Sequence, residues 1–224
     1  MRGGFVRHVR IRAAAVLVAA LAASGGILAA TQPAAAAVMC QDWVLGAARV
    51  ATYVGNTGFD GPVVSNGAVV NTLAGNDMVS VETGATRVVV CLGEGDDTFE
   101  GVAPGATRPT AGSLFSVEGG PGSDGIEGGD GFDILVGEDG ADMIAGEAGP
   151  DRIMGGNGND DLYGGDGNDT IYAGSGDDYL FGDAGDDILM SDGGDDVLDG
   201  GPGTDSCVGP GTFVNCETIR EVTS

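Results

Sequence analysis

From Gly119 to Val208 the chain repeats every nine residues, ten times without a gap. Each nonapeptide reads approximately Gly-Gly-x-Gly-x-Asp-x-U-x, where U is bulky and apolar. The fourth place is always glycine: Gly122, Gly131, Gly140, Gly149, Gly158, Gly167, Gly176, Gly185, Gly194 and Gly203. The sixth is always aspartate: Asp124, Asp133, Asp142, Asp151, Asp160, Asp169, Asp178, Asp187, Asp196 and Asp205. The eighth is Ile126, Leu135, Ile144, Ile153, Leu162, Ile171, Leu180, Leu189 and Leu198, with Cys207 in the last repeat. Three positions held in phase over ninety residues restrict the chain to a repeat architecture, in which one unit buries its apolar residue only against its neighbours.

The nonapeptide divides into a six-residue turn and a three-residue strand. Its glycines permit the positive φ that a tight turn needs. Two nonapeptides then close one coil with a turn on each edge, so turn n stacks on turn n+2 about one strand spacing away, ~4.8 Å. Asp124 is expected above Asp142 and Asp142 above Asp160, with Asp133, Asp151 and Asp169 stacked on the opposite edge. Carboxylates at that separation repel by roughly 3 kcal/mol per neighbour at an effective dielectric of 20. A cation between turns turns that penalty into an attraction. Calcium suits such a gap, because it accepts six to eight oxygens in flexible geometry from carboxylates and carbonyls. Magnesium demands tighter octahedral geometry and keeps its water. Zinc is disfavoured, since the one histidine, His8, lies near the N-terminus and the cysteines are expected to be paired.

The N-terminus carries Arg2, Arg7, His8, Arg10 and Arg12, then an apolar alanine-rich stretch from Ala13 to Ala30 and the small-residue run Ala34 to Ala37. This order reads as a secretory signal peptide over residues 1–37, cut after Ala37. An uncleaved anchor is the alternative, but the stretch is short for a span and Gly25-Gly26 interrupts it. A lipoprotein is disfavoured because Met39 precedes Cys40. Without the leader, 5 Arg and no Lys face 34 acidic residues, a formal charge of −29. Such a surface repels nucleic acid and anionic membranes, so neither is expected as a partner, and no membrane insertion is expected once the leader is removed. Four cysteines in an exported chain suggest two disulfides, with Cys207–Cys216 and Cys40–Cys91 favoured and the other pairings left open.

Residues 38–118 read as a β-rich region with degenerate repeats, seen at Gly55–Asp60, Ala74–Val79 and, most clearly, Gly93–Phe99. Val102 to Ser113 reads as a loop, with Pro104, Gly105, Pro109 and Gly112. Residues 209–224, with Phe213, Val214 and Ile219, read as a cap over the last rung.

The nonapeptides resemble the RTX family of haemolysin-type calcium-binding repeats, strongly over 119–208 and weakly over about 50–118. Ala51–Gly55, Asp205-Ser-Cys207 and Cys216-Glu217 around the array are similar to secreted calcium-binding proteins of high-GC Gram-positive bacteria. The resemblance implies an all-β fold, a right-handed parallel β-roll or β-helix solenoid with calcium between neighbouring turns. It implies metal ligation by the sixth-place aspartates, Asp124 through Asp205, and by turn carbonyls. About eight inter-turn sites would follow from ten turns. Departures fall at Glu138, Glu147, Asp183 and Asp192 in the second place and at Ala173 and Ser191 in the first, where sites are expected to be strained or weaker. Gly155–Asp160 and Gly164–Asp169 are the best-formed turns.

Without the leader the chain has no histidine, and it has no lysine at all, so His-dependent, Ser-Lys and Schiff-base catalysis are absent. No HExxH, GxSxG or phosphate-loop motif occurs. Its many carboxylates would suit glycoside hydrolysis by residue type, but their periodicity marks them as metal ligands, and no enzyme is expected. Trp43, Tyr163, Tyr172 and Tyr179 read as outward-facing residues rather than a sugar-stacking set, and no threonine row supports an ice-binding face. The expected function is a secreted, extracellular calcium-binding protein whose fold is gated by calcium. The alternative is a surface or matrix module in which calcium is only structural and the partner is a cell-wall or other extracellular polymer. A scaffold for a separately encoded enzyme is a further alternative.

Overall fold

In the structure, a computed structural model, the described residues contain strands and no helix. These are residues 113–220 without a break, 67–101 apart from 82–84, the strands Met39–Asp42, Ala47–Val50, Tyr53–Val54 and Val63–Val64, and residues 58 and 61. The expected leader, Trp43, most of the motif at 55–60 and the connection 102–112 lie outside them.

Two parallel sheets of nine and ten strands face each other, and successive strands alternate between them. A separate antiparallel pair joins Met39–Asp42 to Ala47–Val50. In the repeat block each strand pairs with the one 18 residues on: Ile126 with Ile144, Ile144 with Leu162 and Leu162 with Leu180 in one sheet, Leu135 with Ile153 and Ile153 with Ile171 in the other. Two nonapeptides therefore make one coil. Ahead of the array the offset grows. Val79 pairs with Phe99 across 20 residues, and Phe99 with Ile126 across 27. Behind it the offset shrinks, to 15 for Leu198 with Phe213 and 12 for Cys207 with Ile219.

The eighth-place side chains form one continuous core, from Ile126 to Cys207, at 0–2 % exposure. Each contributes about 2 kcal/mol of burial. The core extends toward the N-terminus through Phe115 and Phe99, whose rings meet edge to face at 6.1 Å, and through Val79, Val88 and Val90. Of the expected cap residues, Phe213 packs against this core, whereas Val214 and Ile219 stay exposed.

The division of the nonapeptide differs from the expected six-residue turn and three-residue strand. Gly125–Asp130, Met143–Ala148 and Asp161–Asp166 are six-residue strands, running from the seventh place of one repeat to the third of the next. Only places four to six form the turn. Pairing skips the first place and resumes at the second and third, as in Gly129 with Glu147 and Asp130 with Ala148. A residue with no side chain at the first place lets the strand bend there without leaving the ladder. Near the C-terminus, Ile188–Met190 and Val197–Asp199 are three residues long, where Ser191-Asp192 replace the glycine pair and Pro202 lacks a backbone donor.

Second-place departures carry backbone strain. Glu138, Glu147 and Asp183 sit at φ of 84°, 80° and 65°, in the left-handed region that Gly156 and Gly165 occupy at equivalent places. Each non-glycine residue there costs about 1–2 kcal/mol. Asp192, the fourth departure, has no positive φ; it lies outside the named strands, between Ser191, whose N–H donates to the Val208 carbonyl, and an isolated bridge from Gly193 to Ser175.

Cys207 and Cys216 form a disulfide with Cα atoms 6.0 Å apart, as expected. Cys91 is also disulfide-bonded. Its expected partner is Cys40, whose side chain lies outside those described. On the outer face of one sheet Tyr163 stacks on Phe181, with ring centres 5.0 Å apart, while Tyr172 stands on the other sheet.

Candidate metal centre

All ten predicted aspartates sit at the turns, at most 3 % exposed, in two columns. One column runs Asp124, Asp142, Asp160, Asp178, Asp196 and the other Asp133, Asp151, Asp169, Asp187, Asp205. Within a column each backbone N–H donates to Oδ1 of the aspartate one coil on, at 2.7–3.0 Å. The aspartate carbonyls accept from the seventh-place N–H of the next coil, as Asp124 does from Met143 at 2.8 Å. One side-chain oxygen and both backbone groups are thus used by the ladder.

The other carboxylate oxygen, Oδ2, is buried without a hydrogen-bond partner in all ten. Ten orphaned acceptors of identical placement are too many for a folded chain of this size to leave uncompensated. Arg152 is the single cation of the array and is exposed, so no side chain neutralises them. In eight of the ten repeats Oδ2 converges with a backbone carbonyl over the first-place glycine; at Asp178 and Asp196 that place holds Ala173 and Ser191 instead. A Cβ at Gly155 would strike both Asp160 Oδ2 and the carbonyl of Ala173, and one at Gly164 both Asp169 Oδ2 and the Gly182 carbonyl. Glycine keeps open a cradle that any side chain would fill. Carbonyls of the second and fourth places also face the coil that follows: that of Glu138 lies against Gly156, and that of Gly140 against Gly158.

Carboxylate and carbonyl oxygens without nitrogen or sulfur are the donor set of a hard cation such as calcium. Among the described residues no three His, Cys, Asp or Glu side chains cluster as a metal site. That is consistent with gaps that offer one carboxylate per turn and draw the remaining oxygens from the main chain.

Burial raises the pKa of each of these groups and so weakens it as an acid. Desolvation pushes Asp124, Asp133 and Asp187 up to about 7, Asp151 to about 8, and Asp160, Asp169 and Asp178 to about 6. Asp142, Asp196 and Asp205 are raised for the same cause. The N–H donated to Oδ1 opposes the rise in each case, and neighbouring carboxylates add to it in most. The sequence had pointed to mutual repulsion as the dominant penalty. Desolvation exceeds it here, because removing a carboxylate from water costs more than placing a second, hydrogen-bonded one beside it.

The first column extends beyond the predicted set. Asp97, 2 % exposed, accepts the Asp77 N–H at 2.8 Å and donates its own N–H to Asp124 Oδ1 at 2.8 Å. Its Oδ2 is also buried without a hydrogen-bond partner. The signal was present in Gly93–Phe99, where Leu92 stands in the first place; its offset of 27 residues to the next coil keeps the nine-residue phase but spans three nonapeptides rather than two, and residues 102–112 in between carry no aspartate. The second column starts differently. Phe115 occupies the sixth place ahead of Asp133 and donates its N–H to Asp133 Oδ1, supplying no carboxylate.

The fold and the turns define a parallel β-solenoid with carboxylates stacked along both edges. The RTX calcium-binding nonapeptide repeat matches this chain in four copies, over residues 118–153, 146–180, 154–189 and 172–207. Residues 118–207 are thus a tandem run of RTX calcium-binding nonapeptide repeats. Comparison with curated proteins found no match.

Proposed function

We propose that this is a secreted calcium-binding protein, without enzymatic activity, whose β-roll folds around calcium held between stacked turns. The observation that carries the reading is the row of ten buried Oδ2 atoms, eight of them aimed with a carbonyl into a gap that glycine keeps open. Asp124 through Asp205 are the proposed ligands, joined by turn carbonyls. Calcium, when bound, supplies the positive charge that the array lacks. The chain's own contribution is positional: the N–H donated to Oδ1 fixes each carboxylate, leaving Oδ2 free for the cation. Export places the protein where calcium is abundant, so folding would follow secretion.

Asp160→Asn tests this with opposite signs in two conditions. Asp160 borders two gaps, toward Asp142 and toward Asp178. The amide keeps the Oδ1 acceptor and puts a neutral donor in the place of Oδ2, beside the Ala173 carbonyl. The variant is expected to bind one or two fewer calcium ions by calorimetry. In chelator it should be more stable than the parent by about 1–3 kcal/mol, since an orphaned acceptor has been satisfied. Unchanged stoichiometry would remove Asp160 from the ligand set.

A further inference from the structure

We propose that the second column ends in an additional calcium site outside the ten nonapeptides. It is built from Asp205, the Asn215 carbonyl and Glu217, and the Cys207–Cys216 disulfide holds it in register. This rests on the calcium reading above and adds residues that the repeat pattern does not contain.

Interior gaps share three features, seen between Asp187 and Asp205. The lower N–H donates to the upper carboxylate, at 2.8 Å. The lower Oδ2 is buried with no hydrogen-bond partner. That Oδ2 and the carbonyl of the next coil's first-place residue, Gly200, converge over the lower first-place glycine, each 2.5 Å from where a Cβ of Gly182 would stand.

All three recur one step beyond the last nonapeptide. The Asp205 N–H donates to Glu217 Oε2 at 2.7 Å. Asp205 is 1 % exposed, and its Oδ2 is buried without a hydrogen-bond partner. Over Gly200 the converging atoms are Asp205 Oδ2 and the Asn215 carbonyl, 2.7 and 2.5 Å from the Cβ position. Asn215 thus stands where a first-place residue would, and Glu217 where the next sixth-place aspartate would. The spacing hides the equivalence, because Glu217 follows Asp205 by 12 residues rather than 18.

Several contacts lock this shortened coil. Asn215 adopts φ 47°, which asparagine tolerates better than most residues, and its amide donates to Asp199 Oδ1 at 2.8 Å. The Glu217 and Thr218 N–H groups both donate to the Asp205 carbonyl, at 3.1 and 2.9 Å. Cys216, between the two new donors, is tied to Cys207 in the last core position. The first column ends otherwise. Ser191 replaces the first-place glycine there, its hydroxyl donates to the Pro210 carbonyl at 2.6 Å, and Gly211 rather than an acidic residue stands at the next sixth place.

The experiment is calorimetric calcium titration of the full chain, as Glu217→Gln, as parent, and as parent after reduction of its disulfides, with far-UV circular dichroism recorded on each. Glu217→Gln is expected to bind one calcium fewer with an unchanged spectrum. Reduction should lose that same equivalent, so that reducing Glu217→Gln removes none beyond what the substitution removed. Equal stoichiometry in parent and Glu217→Gln overturns the terminal site and leaves the calcium reading standing. An unaltered chain that binds no calcium overturns both.

Discussion

Gly158→Ala is expected to lower stability in saturating calcium by about 3–5 kcal/mol, while Gly193→Ala changes it by less than about 0.5 kcal/mol. Gly158 is a fourth-place residue at φ 140°, a conformation that an L side chain rarely adopts, and a Cβ there would overlap the Gly140 carbonyl of the coil before it. That carbonyl is backbone, and cannot move without breaking the stacking of the whole edge. Gly193, in a third place, has no positive φ and nothing within 4 Å of its Cβ position. Chemical unfolding of the two variants beside the parent checks the pair. Equal losses would mean that glycine content matters in general rather than the stacking of fourth-place carbonyls.

The second large effect is a pH response whose sign depends on calcium. In the metal-free fold burial pushes Asp124, Asp133, Asp151, Asp160, Asp169, Asp178 and Asp187 up to about 6 to 8, from an ordinary value of 3.8, and raises Asp142, Asp196 and Asp205 as well. A raised native value means that the folded state binds protons more tightly than the unfolded one. Its contribution is complete below the unfolded value and is lost as pH rises through the native one. In chelator, therefore, the protein is expected to be more stable at about pH 5 than at about pH 8.5, with the loss spread between about pH 4 and about pH 8 and complete above it. In calcium the protons compete with the metal for the same oxygens, so the calcium-dependent gain should be largest at the alkaline end and shrink toward acid. Melting temperatures across this range, with and without calcium, are the measurement. A calcium-dependent gain that grows as pH falls would contradict the assignment of these carboxylates.

The nine-residue phase made much of this architecture legible. Glycine and aspartate recurring with one apolar residue per unit imply a coil of two repeats, a core of eighth-place side chains and two aspartate columns, and the structure has all three. What the period does not carry lies where the run of two-nonapeptide coils or of aspartates is interrupted. Asp97 continues a column, but three nonapeptides rather than two separate its coil from the array. Phe115 occupies a sixth place and ends the other column, and a phenylalanine carries no ligand signal. Glu217 completes the far end through a different side chain at a different spacing. The longer side chain reaches the Asp205 N–H from a coil six residues shorter. Strand length was misjudged for a related reason. Glycine-rich stretches read as turns, yet the second and third places remain in the ladder because parallel pairing needs the main chain alone. The balance between desolvation and repulsion depends on burial depth, which the order of residues does not state.

Far-UV circular dichroism with small-angle scattering at about pH 8.5, in calcium and in chelator, tests the central claim most directly. At that pH the buried carboxylates are ionised, and protons cannot substitute for the metal. A compact β-rich particle in calcium that expands and loses its strand signal in chelator is the expected result. The same compact, strand-rich particle in both buffers would show that the rungs hold without a cation, and would contradict the account.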